Sequence, residues 1–390
     1  MTLAASNRAA LRFIAESTFG TTPSTPAFNE LRYTGESLNY NIQNVTSDEI
    51  RSDRMTSDLV QVSGDASGDI NIELIYDAYD EFLQACLAGT WSTPLAVSES
   101  DITATASPTN TFVTAGGDFV SDGVVQGQWI EVRGFSDNTI NGYYRVASVT
   151  SGTITTANDI AASESAGNTI TMVGSMLRNG VTERSFSVQK ELQDLSPSSY
   201  FLFNGVRIGQ LQLNFETGSI LKGSFSVMGL GATNNTTGVS GQSEVAAPTN
   251  DVMNAVSNVL QIEVDDVVST AYFNTLSLVI NNNLRGQDAI GSLPHVGIAM
   301  SRLEVTGDSE LYFQSNTEYA RYLNATAFSL SFRCEDGDGN AYIFTLPRCK
   351  YESGEVVAGG LDQDIFQRST IRAIRDATTD CMVQIDKFDA

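Results

Sequence analysis

One histidine and four cysteines in 390 residues leave this sequence almost without the usual actors of catalysis and metal chemistry. Cys86, Cys334, Cys349 and Cys381 show no C-x-x-C spacing, so neither a zinc site nor a disulfide scaffold is indicated, and they read as free thiols of a reducing compartment. His295 stands alone in a loop-like LPHVG stretch, where a solitary histidine is far more often a surface or packing residue than a general base. Spacings such as G-x-S-x-G, H-E-x-x-H or a phosphate-binding loop are missing. We therefore expect no enzyme, no cofactor and no metal, and assign no catalytic residue. Long apolar runs are missing too: nothing approaches the roughly 18 residues of a membrane-crossing helix. The first twenty residues lack the apolar core and cleavage site of a secretory signal, so a soluble protein made in a cytosol is expected.

Positive charge is the other scarcity. Against 46 acidic residues stand 22 basic ones, a net charge of −24, and such a surface repels nucleic acid instead of neutralising its phosphates. Contact with DNA, if the protein makes any, should be non-adhesive. The acidic stretch EDGDGNAY (335–342) places Asp336, Asp338 and Asn340 at the spacing that opens a calcium loop, but Ala341 stands where the loop needs Gly and Pro347 where it needs Glu. A hairpin turn between SLSFRC and AYIFTL explains it better.

What is present is β-pattern. Short alternating runs such as LQLNFE (211–216), GSFSVM (223–228) and LSLVI (276–280) are separated by clusters of Gly, Asn, Asp and Ser. Helical spacing is strongest in YDAYDEFLQACLAG (76–89), with Tyr79, Phe82, Leu83 and Leu87 on one face and Gly89 placed to stop the helix. The order of segments occurs twice. SLNYNI (37–42), VSGDASGDINIEL (62–74) and the helix with Tyr79, Phe82 and Leu83 are followed later by TLSLVI (275–280), VTGDSELYF (305–313) and TEYARYL (317–323), with Tyr319, Tyr322 and Leu323. Leu38 to Asp69 spans 31 positions and Leu276 to Asp308 spans 32, which aligns Leu38 with Leu276.

The first copy is interrupted. Residues 91–176 are rich in Gly, Ser and Thr, and their strands QWIEVRGF (128–135) and GYYRVASV (142–149) form a hairpin through DNTING, as a small β-domain would. The expected domains are thus 1–90 plus 177–231, the insert 91–176, an extended exposed linker at 232–251, and 252–390. Acidic residues recur on alternate positions in both copies: Asp65, Asp69 and Glu73 alternate with Ile70, Ile72 and Leu74, and Glu304, Asp308 and Glu310 alternate with Leu303, Val305, Leu311 and Phe313. A strand with one acidic face and one core face follows. A solvated sheet surface and a functional wall are both open readings of that face.

The segments RFIAESTFGTTPSTPAFNELRYTGESLNY (12–40), VSGDASGDINIELIYDAYDEFLQACLAG (62–89), ERSFSVQKELQDLSPSSYFLFNGVRIGQLQLNFETGSILKGSFSVMGLG (183–231) and FTLPRCKYESGEVV (344–357) resemble the tail tube proteins of long, non-contractile, siphovirus-type phage tails. The resemblance implies a mainly β chain with two tandem tube domains of sandwich or barrel type, each with a flanking helix, and a small β-domain carried outside. It implies a structural virion protein that stacks as rings, three chains forming a pseudo-hexamer or six a hexamer, around a channel that passes double-stranded DNA. Tape measure, tail terminator and tail-tip proteins would be its partners, with no membrane. Its places would be the virion tail and, during assembly, the host cytoplasm. Asp65, Asp69, Glu73, Glu304, Asp308 and Glu310 would face the lumen, and segments 14–35 and 43–60 would bridge rings. Contractile-tail and secretion tubes are shorter rivals, and a carbohydrate-binding adhesin acting through 91–176 is a rival of another class.

Overall fold

The computed structural model describes residues 3–256 and 259–390, and its regular structure is mainly β. The first half contains β1 (Ala9–Ala15), β2 (Asn39–Thr46), β3 (Leu59–Glu73), helix α1 (Asp80–Leu87), β4 (Trp129–Arg133), β5 (Ile170–Arg178), β6 (Phe186–Leu192), β7 (Ser199–Glu216) and β8 (Lys222–Gly229). The second half contains β9 (Val259–Val264), β10 (Phe273–Asn281), β11 (Glu304–Tyr312), α2 (Thr317–Leu323), β12 (Phe328–Glu335), β13 (Ala341–Tyr351), β14 (Glu355–Val357), β15 (Phe366–Ala373) and β16 (Gln384–Phe388). Shorter strands fill the segments between.

One antiparallel sheet runs through both halves in the order β2-β3-β8-β7-β10-β11-β15, and β13 and β14 together line the last edge. The join is β7 against β10, with Gln210 opposite Asn281 and Glu216 opposite Thr275. Behind this sheet lies a second layer. β7 is long enough to serve both: its first part pairs with β6, which pairs with β1, and its second part pairs with β8 and β10. β13 does the same in the second half, pairing first with β12 and β16 and then with β15.

Alternation decides what is buried. Ile70, Ile72, Leu211, Leu213 and Phe225 turn inward from the shared sheet to meet Phe13, Phe186 and Val188 from the second layer. Phe82 of α1 sits between them, its ring 4.7 Å from Phe13, 5.0 Å from Phe186 and 5.3 Å from Phe225. In the second half, Leu330, Phe332 and Phe344 back Leu276, Leu278 and Val305. Phe313, expected as core, is only half-buried, because it lies just beyond the end of β11 where the second layer no longer covers it.

Helix α1 ends as the sequence indicates, but through a different residue. Ala88 adopts the left-handed conformation (φ 48), and Gly89 is required for room, since a Cβ there would stand 2.1 Å from the Arg178 carbonyl oxygen. Segment 14–35, expected by resemblance to bridge rings, is packed within its own chain: Phe28 and Leu31 are buried, and Glu16 accepts hydrogen bonds from Ser185, Ser187 and the amides of Gly20 and Gly205. Segment 232–251 is extended and largely exposed, yet it carries two short strands, Gly231–Asn235 on β7 and Ser243–Val245 parallel to Ala27–Glu30. The β2–β3 hairpin is open to solvent, with Ile50 fully exposed and Val45, Met55, Leu59 and Val60 at least half exposed.

Residues 95–172 hold a core of their own, built on Phe112, Ile130, Val132, Ile154 and Met172. The module does not hang free on the half that carries it. The end of β5 pairs with β16, Ser175 opposite Lys387 and Arg178 opposite Gln384, so the module's exit strand joins the second layer of the other half.

Candidate functional site

All six acidic residues singled out in the sequence lie on the face of the shared sheet that points away from the core, Asp69 and Asp308 exposed and the other four half-buried. Across the strands, hydroxyls and amides continue the face: Ser224 and Ser226 on β8, Gln210, Gln212 and Asn214 on β7, Thr275 and Ser277 on β10. It is a wide polar wall with few apolar side chains.

Two matched constellations anchor it. In the first half the Asp69 amide donates to Ser37 Oγ at 2.9 Å, and Ser226 Oγ donates to Asp69 Oδ1 at 2.5 Å. In the second, the Asp308 amide donates to Ser277 Oγ at 2.9 Å, and Thr370 Oγ1 donates to Asp308 Oδ1 at 2.9 Å. The preceding glycines, Gly68 and Gly307, let the strands close, because a Cβ on either would meet the carbonyl oxygen of Ser37 or Ser277 at 2.6 or 2.2 Å. Ser37 therefore corresponds to Ser277. The sequence alignment of Leu38 with Leu276 is off by two positions, and the buried partner of Leu38 is Leu278.

The two halves differ in how their carboxylates are answered. Glu310 receives Arg368 at 2.6 Å and Asn274 at 2.7 Å, and these bonds hold its carboxyl below the usual range. Glu304 is held low as well, chiefly by Arg302, with Arg372 at 3.6 Å. Asp65, Asp69 and Glu73 have no basic partner within salt-bridge distance among the described residues; Asp65 accepts from Ser67 instead, at 2.9 Å. The arginines of β15 were not singled out in the sequence, although the RSTIRA run alternates in the same way as the acidic strands.

The edges of the sheet are the other chemical resource. β7 gives its outer edge to β10, whereas the corresponding edge, β13 with β14, has no strand beyond it among the described residues. At the opposite end β2, the counterpart of β10, pairs with β3 and has no strand on its outer side among the described residues. Helix α1 lies over the internal join: Asn282 Nδ2 donates to the Cys86 carbonyl at 2.8 Å and to that of Ile208 at 3.1 Å. Helix α2 takes the matching place at the open edge and buries none of its side chains.

Elsewhere the chemistry is structural. His295 Nδ1 contacts Asp288 at 2.6 Å in the loop after β10. Asp336 caps the turn between β12 and β13, accepting from the amides of Asp338 and Asn340 at 2.9 Å each. Among the described residues no group of three or more His, Cys, Asp or Glu side chains is arranged to hold a metal, and no helix is long and apolar enough to cross a membrane.

Over residues 6–373 the sequence matches the family described as phage tail tube protein. No curated protein matches the chain.

Proposed function

The chain belongs to the phage tail tube protein family, and as its structural role there we propose that it closes its shared sheet head to tail with further copies of itself into rings that stack as a DNA-conducting tube. The observation that carries this reading is the β7–β10 join. It is a worked example, inside one chain, of how one half of the repeat adds to the next, and it leaves the same two kinds of edge without a further strand at the ends among the described residues. Open edges of a long sheet invite uncontrolled pairing unless something closes them, and a closed ring does so.

The internal join also supplies the register. Gln212 faces Val279 across it. Ser224 and Arg368 are the strand partners of Gln212 and Glu355, and they occupy equivalent places because Ser226 matches Thr370. Val279 and Asn39 are equivalent because Ser277 matches Ser37. Glu355 of one copy therefore faces Asn39 of the next. Three chains give a six-unit ring, with six chains as the alternative, and the polar wall with Asp65, Asp69, Glu73, Glu304, Asp308 and Glu310 lines the lumen. The solvent-open β2–β3 hairpin, with its exposed apolar side chains, is suited to contact the neighbouring ring. Assembly in the host cytoplasm of a siphovirus-type tail, in company with tape measure, terminator and tip proteins, follows from the same reading.

The test is a pair of cysteines, Asn39→Cys with Glu355→Cys, in a chain whose own four cysteines are buried and free. Mild oxidation of assembled material should give covalent closed trimers on a non-reducing gel, and Gln212→Cys with Val279→Cys should lock within one chain. Hollow filaments in negative stain without the cross-link would refute the register. Absence of filaments from the wild-type protein would refute the tube reading.

A further inference from the structure

We infer that the 95–172 module works as an intramolecular clasp, gripping the second half of its own chain so that the two halves cannot pivot about the β7–β10 join. Its attachment is of a kind that a free surface decoration would not have. β5 leaves the module and completes the second layer of the other half by pairing with β16, covering an edge that would otherwise stand open. Beside that ladder, the Trp129 side chain of β4 turns out of the module, away from its core, into a small apolar cluster with Ala341, Ile343 and Phe388. Its indole Nε1 donates to Thr345 Oγ1 at 3.0 Å, and its amide donates to the buried Asp386 carboxylate at 3.2 Å.

Polar contacts surround the plug. Arg145 pairs with Asp266 at 2.5 Å, Asn158 Nδ2 donates to Glu263 at 2.8 Å, and the Arg333 guanidinium lies 4.3 Å from the Tyr143 ring centre. Arg178 donates to Gln384 at 2.8 Å and to the Thr379 carbonyl at 3.2 Å. Both partners of the Arg145–Asp266 pair are largely shielded, so its loss exposes a charge to poor solvation, unlike that of a solvated surface pair.

The module is inserted after α1, on one side of the join, and grips β9, β12, β13 and β16 on the other. A tie across a hinge, at a distance from it, fixes the angle that the hinge alone leaves soft. The second half has no matching insert: only residues 324–327 separate α2 from β12. In a ring, a consequence that rests on the tube reading, joins inside a chain are clasped and joins between chains are not.

Hydrogen exchange read by mass spectrometry on the full-length chain tests the clasp directly. Trp129→Ala should lower amide protection in Ser175–Arg178 and Gln384–Phe388 at least tenfold, while the module strands around Phe112 and Ile154 and the Thr275–Asn281 strand stay protected. Arg145→Ala, which leaves the apolar plug intact, should give a smaller loss at the same peptides. Unchanged protection of β16 in both variants would overturn the inference. So would loss spread through the module in Trp129→Ala with β16 unchanged in Arg145→Ala, since Trp129 would then serve the module's own fold. Failure of the purified chain to form filaments, with the exchange pattern as expected, would strike at the tube reading and leave the clasp standing.

Discussion

Asp386 is fully buried at the module's attachment, and burial pushes its carboxyl up to about 7 against the opposing pull of Gln384, the Trp129 amide, Arg178 and Arg145. In the unfolded chain the same group ionises near 3.8. Folding therefore takes up a proton between those values, so the stability this residue contributes is greatest below about 4, falls as pH rises to about 7 and then levels off. Glu304 and Glu310 run the opposite way: held low by Arg302 and Arg368, they add stability above the ordinary glutamate range and lose it as pH falls. Asp386→Asn cannot ionise and so removes the first dependence alone. The melting temperature of the variant relative to wild type should rise between pH 5 and pH 8, and a difference that stays constant across that window would show that Asp386 does not titrate there.

The two helices carry the same Y-x-x-[FY]-L signature and have unlike surroundings, so equal sequence predicts unequal energetics. Phe82→Ala in α1 removes a ring enclosed by three others and should cost about 3–5 kcal/mol in chemical denaturation. Leu323→Ala in α2 removes a side chain that is 66% exposed and should change the stability of the unassembled chain by no more than about 0.5 kcal/mol. The signature was legible because helical spacing is local; its burial was not, because the rings that enclose Phe82 come from β1, β6 and β8, as far as about 140 positions away in the chain. The strands divide in the same manner. Alternation gave the polar and apolar faces of β3 and β11, since a period of two needs no partner to be read. The β7–β10 and β5–β16 pairings have no local mark, and the role of Trp129 goes with them. The repeat was visible, but alignment on leucines slipped it by two: an even shift keeps every apolar residue on its face, and only the Ser37–Asp69 and Ser277–Asp308 bonds fix the true position.

On the tube reading proposed above, a net charge of −24 per chain would put −72 on a ring of three, but only carboxylates on a lumen-facing polar wall would act on DNA at close range, since exposed charges are screened beyond about 8 Å at physiological salt. Glu304 and Glu310 are tied to arginines, so a lysine at either place would face Arg372 or Arg368 and damage the sheet before it changed the lumen. Asp69 and Asp308 are the cleaner probes: both are exposed, each accepts a hydrogen bond from a hydroxyl on the wall, and neither has a basic partner within salt-bridge distance among the described residues. The double variant Asp69→Lys, Asp308→Lys should still assemble, at the cost of the Ser226 and Thr370 bonds. A phage carrying it should release DNA on the order of tenfold more slowly in a dye-release assay, because the wall now attracts phosphate. The defect should shrink as salt is raised toward 1 M, where the screening length falls to about 3 Å. A slow release indifferent to salt would point to altered tube geometry instead of charge, and an unchanged release rate in tubes of normal appearance would remove Asp69 and Asp308 from the lumen.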